Sequence, residues 1–189
     1  KWYELHGRHD LQWRKAITPY RIWISEIMLQ QTQVVTVKPY FKKFIKKYPT
    51  LKSIQDASED EILTLWSGLG FYKRARNIFQ TKEIIHSEHK GRFPESFEEI
   101  IKLPGIGKSP AGAIMSIAHQ IPTPILDGNV KRILQRYFSD GKNIFSEKEL
   151  WDLSLSVSNA TNSNFYTQGI MDIGAVSYTH LRAHETTLD

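Results

Sequence analysis

The stretch LPGIGKSPAG, residues 103–112, decides how this chain is read. It joins SFEEIIKL, which opens with capping-box spacing at Ser96 and Glu99, to the apolar run PAGAIMSIAHQ. Pro104 ends the first run, and Gly105 and Gly107 permit positive φ and close backbone approach. Ser109 is expected to cap the second helix. Pro110 suits its first turn, where a missing N–H is no loss. The result is helix, tight glycine-rich turn, helix. Such a turn can be a plain connection. Its free N–H groups, with the helix start behind them, can also hold an anion, and a phosphate held this way positions a protein on DNA without reading sequence. The glycines alone do not choose between the two.

Outward from the hairpin the chain reads as helix after helix, so an all-α fold is expected. PYRIWISEIMLQQ, residues 19–31, has apolar side chains at helical spacing, with Pro19 in the first turn. VVTVKPYFKKFIKKY puts Phe41, Phe44, Ile45 and Tyr48 on one face and Lys42, Lys43, Lys46 and Lys47 on the other. SEDEILTLWSG carries a capping box at Ser58 and Glu61 and a stop at Gly68. A longer helix follows GLGFY and ends near Gly91. IPTPILDGNVKRILQRYF is an extended entry to a helix. Ser146 and Glu149 open a helix over 147–158, and NFYTQGIMDIGA is the last. There is no internal repeat or low-complexity segment.

The bulk composition narrows the classes. The 189 residues are 40% hydrophobic, enough for a buried core, and contain no apolar run long enough to cross a membrane. No signal-peptide pattern appears, and the first residue is Lys rather than Met, so a fragment is expected. Cysteine is absent, so these residues hold no disulfide, thiol nucleophile or cysteine-held metal cluster. The net charge of +5 favours a polyanionic partner.

Two carboxylates stand out. Glu26 interrupts an apolar helix, with Ile22, Trp23, Leu29 and Gln30 as same-face neighbours. Such a carboxylate is either a general acid with a raised pKa or a partly solvated residue at the helix border. Asp127, in LDGNVKR, directly precedes a helix and is a natural N-cap. It can also project into a cleft and stabilise positive charge. One protonated and one ionised carboxylate are what cleavage through an oxocarbenium-like state requires.

WISEIMLQQTQV, LWSGLGFYKRARN, FPESFEEIIKLPGIGKSPAGAI and PILDGNVKRIL together resemble, in order and spacing, the helix-hairpin-helix DNA glycosylases. The likeness runs from about Lys1 to Val176 and points to the MutY-type branch, which excises adenine mispaired with guanine or 8-oxoguanine. It implies a two-lobed helical fold. One lobe spans 19–126 and the other combines 1–18 with 127–176. DNA is expected in the cleft between them, with the target base flipped out.

The resemblance also assigns roles. Glu26 matches the acid that protonates adenine, Asp127 the carboxylate that stabilises the sugar cation, and Asn129 an asparagine supporting that site. Gln31 matches a side chain that enters the duplex. Phe71, with Tyr72 beside it, stands where the family commonly wedges a tyrosine, so stacking is kept and the hydroxyl is lost. Trp13 and Arg14, in LQWRK, match the adenine pocket, with Gln12 replacing a proline. Gln168 and Asp172 match a region that faces adenine or supports its pocket. Arg74 and Arg76, in KRAR, are phosphate-contact candidates, as are Gly105, Gly107, Lys108 and Ser109 of the hairpin. The Lys42–Lys47 cluster is read as a solvated face.

LDGNV separates this branch from endonuclease-III-like relatives, which read VDTHV. Those relatives also place a Schiff-base lysine where Ser109 stands here, so a monofunctional enzyme using water is expected. The alternatives are a related glycosylase for mismatched thymine or oxidised pyrimidines, and a DNA-binding module that has lost catalysis. The resemblance further implies a monomer acting on double-stranded DNA in the bacterial cytoplasm, at the nucleoid.

After MDIGAV the likeness breaks. The family continues into four cysteines holding a [4Fe–4S] cluster and then a domain resembling Nudix hydrolases. Here the chain reads SYTHLRAHETTLD, with Tyr178 about where the first cysteine would be. Residues 177–189 are therefore expected to be an atypical, non-native tail, and the 189 residues are expected to carry no cluster ligands. HSEH and HLRAH have histidine spacings without further ligands, so no metal site is assigned. Hairpins of this family often hold a monovalent cation through main-chain carbonyls.

Overall fold

The computed structural model describes residues 1–139, 144–158 and 162–185, with side chains through Val176. Among these residues there are α-helices and no strand. In chain order they are α1 (Trp2–His6), α2 (Gln12–Lys15), α3 (Pro19–Leu29), α4 (Val34–Lys47), α5 (Leu51–Ile54) and α6 (Glu59–Trp66). Then follow α7 (Lys73–Glu88), α8 (Phe97–Ile100), α9 (Lys108–Ala118), α10 (Gly128–Phe138), α11 (Glu147–Val157) and α12 (Ser163–Glu185). The helical backbone thus continues into the atypical tail. The side chains of the tail, including HLRAH, lie outside the described residues.

The chain forms two compact units, one of His9–Ile114 and one of Lys1–Arg8 with Met115–Asp189. The divisions expected from the sequence, at 18/19 and 126/127, differ from these bounds. In the first unit α3 is the central element. It buries Ile22, Trp23, Ile24, Ile27 and Met28 almost completely, so its apolar surface runs most of the way round, as a helix packed on several sides requires. Helix α4 turns Val37, Phe41, Phe44 and Ile45 inward and exposes Lys42, Lys43, Lys46 and Lys47. Trp13 meets Phe41 edge-on at 5.2 Å and Trp23 packs on Phe93 at 5.8 Å. In the second unit α10 packs on α11 and α12, and α1 lies against α12.

Helix starts follow local chemistry. Thr18 caps α3 ahead of Pro19. Ser58 with Glu61 and Ser146 with Glu149 form reciprocal capping boxes, each cap contributing about 1 kcal/mol. Ser96 caps α8 through the Glu99 N–H at 3.3 Å, and its hydroxyl, not its N–H, donates to the Glu99 carboxylate. A further box, Thr50 with Ser53, uses serine in the return position.

The hairpin differs from expectation in one respect. Helix α9 begins at Lys108, and the Gly107 carbonyl accepts its first helical bond, from Ala111 N–H at 3.0 Å. Gly107, not Ser109, therefore stands at the N-cap, and Ser109 lies within the first turn. Pro110 has no N–H to bond there, and the chain enters the helix two residues earlier than a serine cap would dictate.

Candidate functional site

In the first unit three loop regions carry the expected DNA-contacting residues, and one side chain joins two of them. Arg74, from the first turn of α7, is 6% exposed. Its Nη1 donates to the carbonyls of Gln30 at 2.6 Å, Met28 at 2.7 Å and Ile27 at 3.2 Å. Its Nη2 donates to Gly70 at 3.2 Å and Leu69 at 3.5 Å. The guanidinium also lies 5.4 Å from the Trp66 ring centroid and 5.2 Å from that of Phe71. It therefore satisfies the carbonyls that α3 leaves open at its C-terminus, where a cation is favoured. Burial lowers its pKa from the usual arginine value, yet a guanidinium keeps its proton in proteins. A phosphate contact by Arg74 does not fit this placement, because the donors are turned into the protein. The expectation that both Arg74 and Arg76 contact phosphate is corrected for Arg74. Arg76 is the exposed member, with Nε 3.3 Å from the Glu59 carboxylate.

The two loops that Arg74 joins each present a residue in the left-handed region. Gln31 has φ 55° and is exposed, while Phe71 has φ 49° and is 57% exposed. Side chains other than glycine rarely hold this conformation without surrounding constraint. Tyr72 is 42% exposed, and its hydroxyl accepts the Gly68 N–H at 3.4 Å. The hairpin is linked to the same region, since the Gln30 side-chain amide donates to the Gly105 carbonyl at 2.9 Å. Gly105 has φ 77°, and a Cβ there would strike Asn77 at 2.4 Å. A Cβ on Gly107 would meet nothing within 4 Å, so the chain itself leaves that position open. Lys108 is exposed and Ser109 half-buried beside it.

Glu26 is half-buried on α3 between fully buried neighbours. Trp13 is buried and walls a pocket of about 210 Å³ shared with Asp10, Gln12, Lys38, Pro39 and Lys42. Arg14 beside it is half-buried.

In the second unit Asp127 caps α10. Its Oδ1 accepts the N–H groups of Asn129 at 3.0 Å and Val130 at 2.8 Å, and its Oδ2 accepts the Asn129 side-chain amide at 3.1 Å. Both oxygens act as acceptors, as in an ionised carboxylate, and the carboxylate is fixed in direction. Arg132 in turn donates to the Asn129 side-chain oxygen. Gln168 is 2% exposed, donates to Asn164, and leaves its Oε1 without a partner. Asp172 is 1% exposed. Its carboxylate is bound by the Arg8 main-chain N–H at 3.0 Å, by Arg8 Nε at 2.7 Å and by Arg8 Nη2 at 2.5 Å. Sequence reasoning missed Arg8, Gln30 and Arg132, whose roles depend on partners and not on a local pattern.

No group of three His, Cys, Asp or Glu side chains that could hold a metal occurs among the described residues. An iron–sulfur cluster needs ligands of the thiolate type. These 189 residues contain no cysteine, so they do not fit that group. No helix among the described residues is long and apolar enough to cross a membrane.

The helical order, the hairpin and the capped aspartate define the fold class of helix-hairpin-helix DNA glycosylases. A solved structure described as a thermostable thymine-DNA glycosylase superposes with TM-score 0.82 at 28% identity, over 93% of this chain and 82% of that one. A trapped endonuclease III–DNA covalent intermediate shares the fold at TM-score 0.69 and 23% identity, over 82% of this chain and 73% of that one. The chain belongs to the HhH-GPD superfamily of base excision DNA repair proteins, whose family profile matches residues 24–154.

Among curated relatives, the adenine DNA glycosylase of Buchnera aphidicola subsp. Acyrthosiphon pisum (strain APS) is 51% identical over 177 residues, 92% of this chain and 51% of the relative. The adenine DNA glycosylase of Homo sapiens is 36% identical over 193 residues, 96% of this chain and 35% of the relative. The chain thus spans about half or less of the length of these relatives.

Proposed function

We propose that the chain carries the catalytic part of a monofunctional DNA glycosylase that releases adenine mispaired with guanine or 8-oxoguanine. The observation that carries this reading is the 51% identity to an adenine DNA glycosylase across 92% of the chain. Glu26 protonates a ring nitrogen of the flipped adenine. The N-glycosidic bond then breaks with its electron pair passing to the base, and water adds to the sugar carbon. Asp127, ionised and fixed by Asn129 and the start of α10, stabilises the positive charge that develops on the sugar. Gln31 and Phe71 enter the duplex beside the target base. Trp13, Arg14 and Gln168 contact the extruded base, and Asp172 supports that region through Arg8.

The hairpin N–H groups of Gly105, Gly107, Lys108 and Ser109 receive a DNA phosphate. The open space at the Gly107 Cβ position supports this assignment, since a close phosphate, not the chain itself, gives glycine a purpose there. Arg76 contacts phosphate after leaving Glu59. Ser109 provides no amine for a Schiff base, so base release is not coupled to strand scission.

A second reading, removal of mismatched thymine, draws on the 0.82 TM-score with the thymine-DNA glycosylase. Replacing Glu26 by Gln tests the first. Loss of adenine release with retained duplex binding is expected, and full activity in that variant would refute the acid role.

A further inference from the structure

Among the described residues, Arg74 is a buried cation with no carboxylate among its hydrogen-bonding partners. All five of its hydrogen bonds go to main-chain carbonyls, three at the end of α3 and two in the loop before α7. Those segments are 39 or more residues apart in sequence, yet one planar fork spans both. Gln30 extends the connection. Its carbonyl is the shortest Arg74 acceptor, and its side chain binds the Gly105 carbonyl of the hairpin. Gln31, the next residue, is held left-handed, and Phe71, which lies against the guanidinium, is held left-handed as well. Two strained, exposed side chains therefore flank one buried fork.

We propose that Arg74, acting through the Gln30 backbone, is a positioning residue that holds the Gln31 tip, the Phe71 tip and the hairpin in one register for extruding the target base. It rests on the reading of this chain as a base-flipping glycosylase for its purpose, but not for its mechanics. A guanidinium can serve two carbonyl groups on separate segments because its donors diverge in one rigid plane. A lysine ammonium is a single point on a flexible stem and cannot hold both segments at once.

The test uses the full chain with Arg74→Met and, in case that variant does not fold, Arg74→Lys. Hydrogen exchange is followed without DNA. Amides at 30–33 and at 68–72 are expected to lose protection together, at least about tenfold, in either variant. Loss confined to one segment, or in neither, overturns the proposal.

A second readout uses a duplex carrying 2-aminopurine opposite guanine. Arg74→Lys is expected to cut the fluorescence gain on extrusion severalfold in the parent and to add nothing in a Gln31→Ala/Phe71→Ala background. An equal further loss in that background contradicts action through the two tips. Duplex affinity of Arg74→Met should keep its dependence on salt. A slope smaller by about one would instead mark a lost phosphate contact. If the parent extrudes no base, the glycosylase reading fails, while hydrogen exchange still decides the role of Arg74.

Discussion

Gly174 of α12 lies so close to Asn129 of α10 that a Cβ added at Gly174 would stand 2.5 Å from the Asn129 main-chain oxygen and 2.6 Å from its Cβ. Asn129, together with the Val130 N–H, orients the Asp127 carboxylate. The close crossing of two helices thus sets the position of a proposed catalytic carboxylate.

Gly174→Ala follows directly. Alanine favours the helix by up to about 1 kcal/mol, while overpacking costs about 1–3 kcal/mol. A net loss of stability is expected, with a lower Tm and shifted NMR signals for Asn129 and Asp127. A higher Tm with unchanged Asn129 signals would contradict the close contact.

Asp127 has two separable roles. Asp127→Ser keeps an N-cap and should hold stability within about 0.5 kcal/mol, whereas Asp127→Ala should lose about 1–2 kcal/mol. Both variants should lose at least about a hundredfold in adenine release. Denaturant titration alongside single-turnover assays separates the roles. Activity retained in the serine variant would leave Asp127 with capping alone.

The pair of Arg8 and Asp172 fastens the first residues of the chain to α12. Arg8 is about one-third exposed, but Asp172 is buried. Arg8→Met leaves a buried carboxylate without its guanidinium and should destabilise by roughly 2–4 kcal/mol. Asp172→Asn, which removes the charge and keeps the shape, should cost less. Chemical denaturation of both variants checks the order.

Glu61 supplies a pH signature. The Ser58 N–H, and after it the Lys47 ammonium, hold its carboxyl down to about 2, against an ordinary 4.5. Because the folded value lies below the unfolded one, the contribution is complete above the unfolded value and is lost as pH falls through the folded one. The Tm gap between the parent and Glu61→Gln should be widest near neutral pH and close between about pH 4.5 and 2. A gap that stays constant over that range would contradict the contact.

Much of the helical order was legible because its signals are local. Ser58 with Glu61, Pro19 in a first turn, and the alternation of Phe41 and Phe44 with lysines each act within one or two turns. The hairpin was legible as helix, turn, helix, but its cap was misplaced by two residues because a serine next to proline imitates an N-cap.

Arg74 was not legible. KRAR shows three basic residues on paper, and which of them is buried depends on carbonyls of Ile27, Met28 and Gln30, over forty residues earlier. Gly174 was missed for the same reason, since its partner lies on another helix. The positive φ at Gln31 and Phe71 has no glycine to announce it.

The central claim is tested most directly by single-turnover base release from three duplexes, with adenine opposite 8-oxoguanine, thymine opposite guanine, and thymine glycol. The account predicts free adenine from the first, at a rate abolished by Glu26→Gln, with strand scission far slower than base loss. Release of thymine or thymine glycol without adenine, or scission in step with base loss, would contradict it.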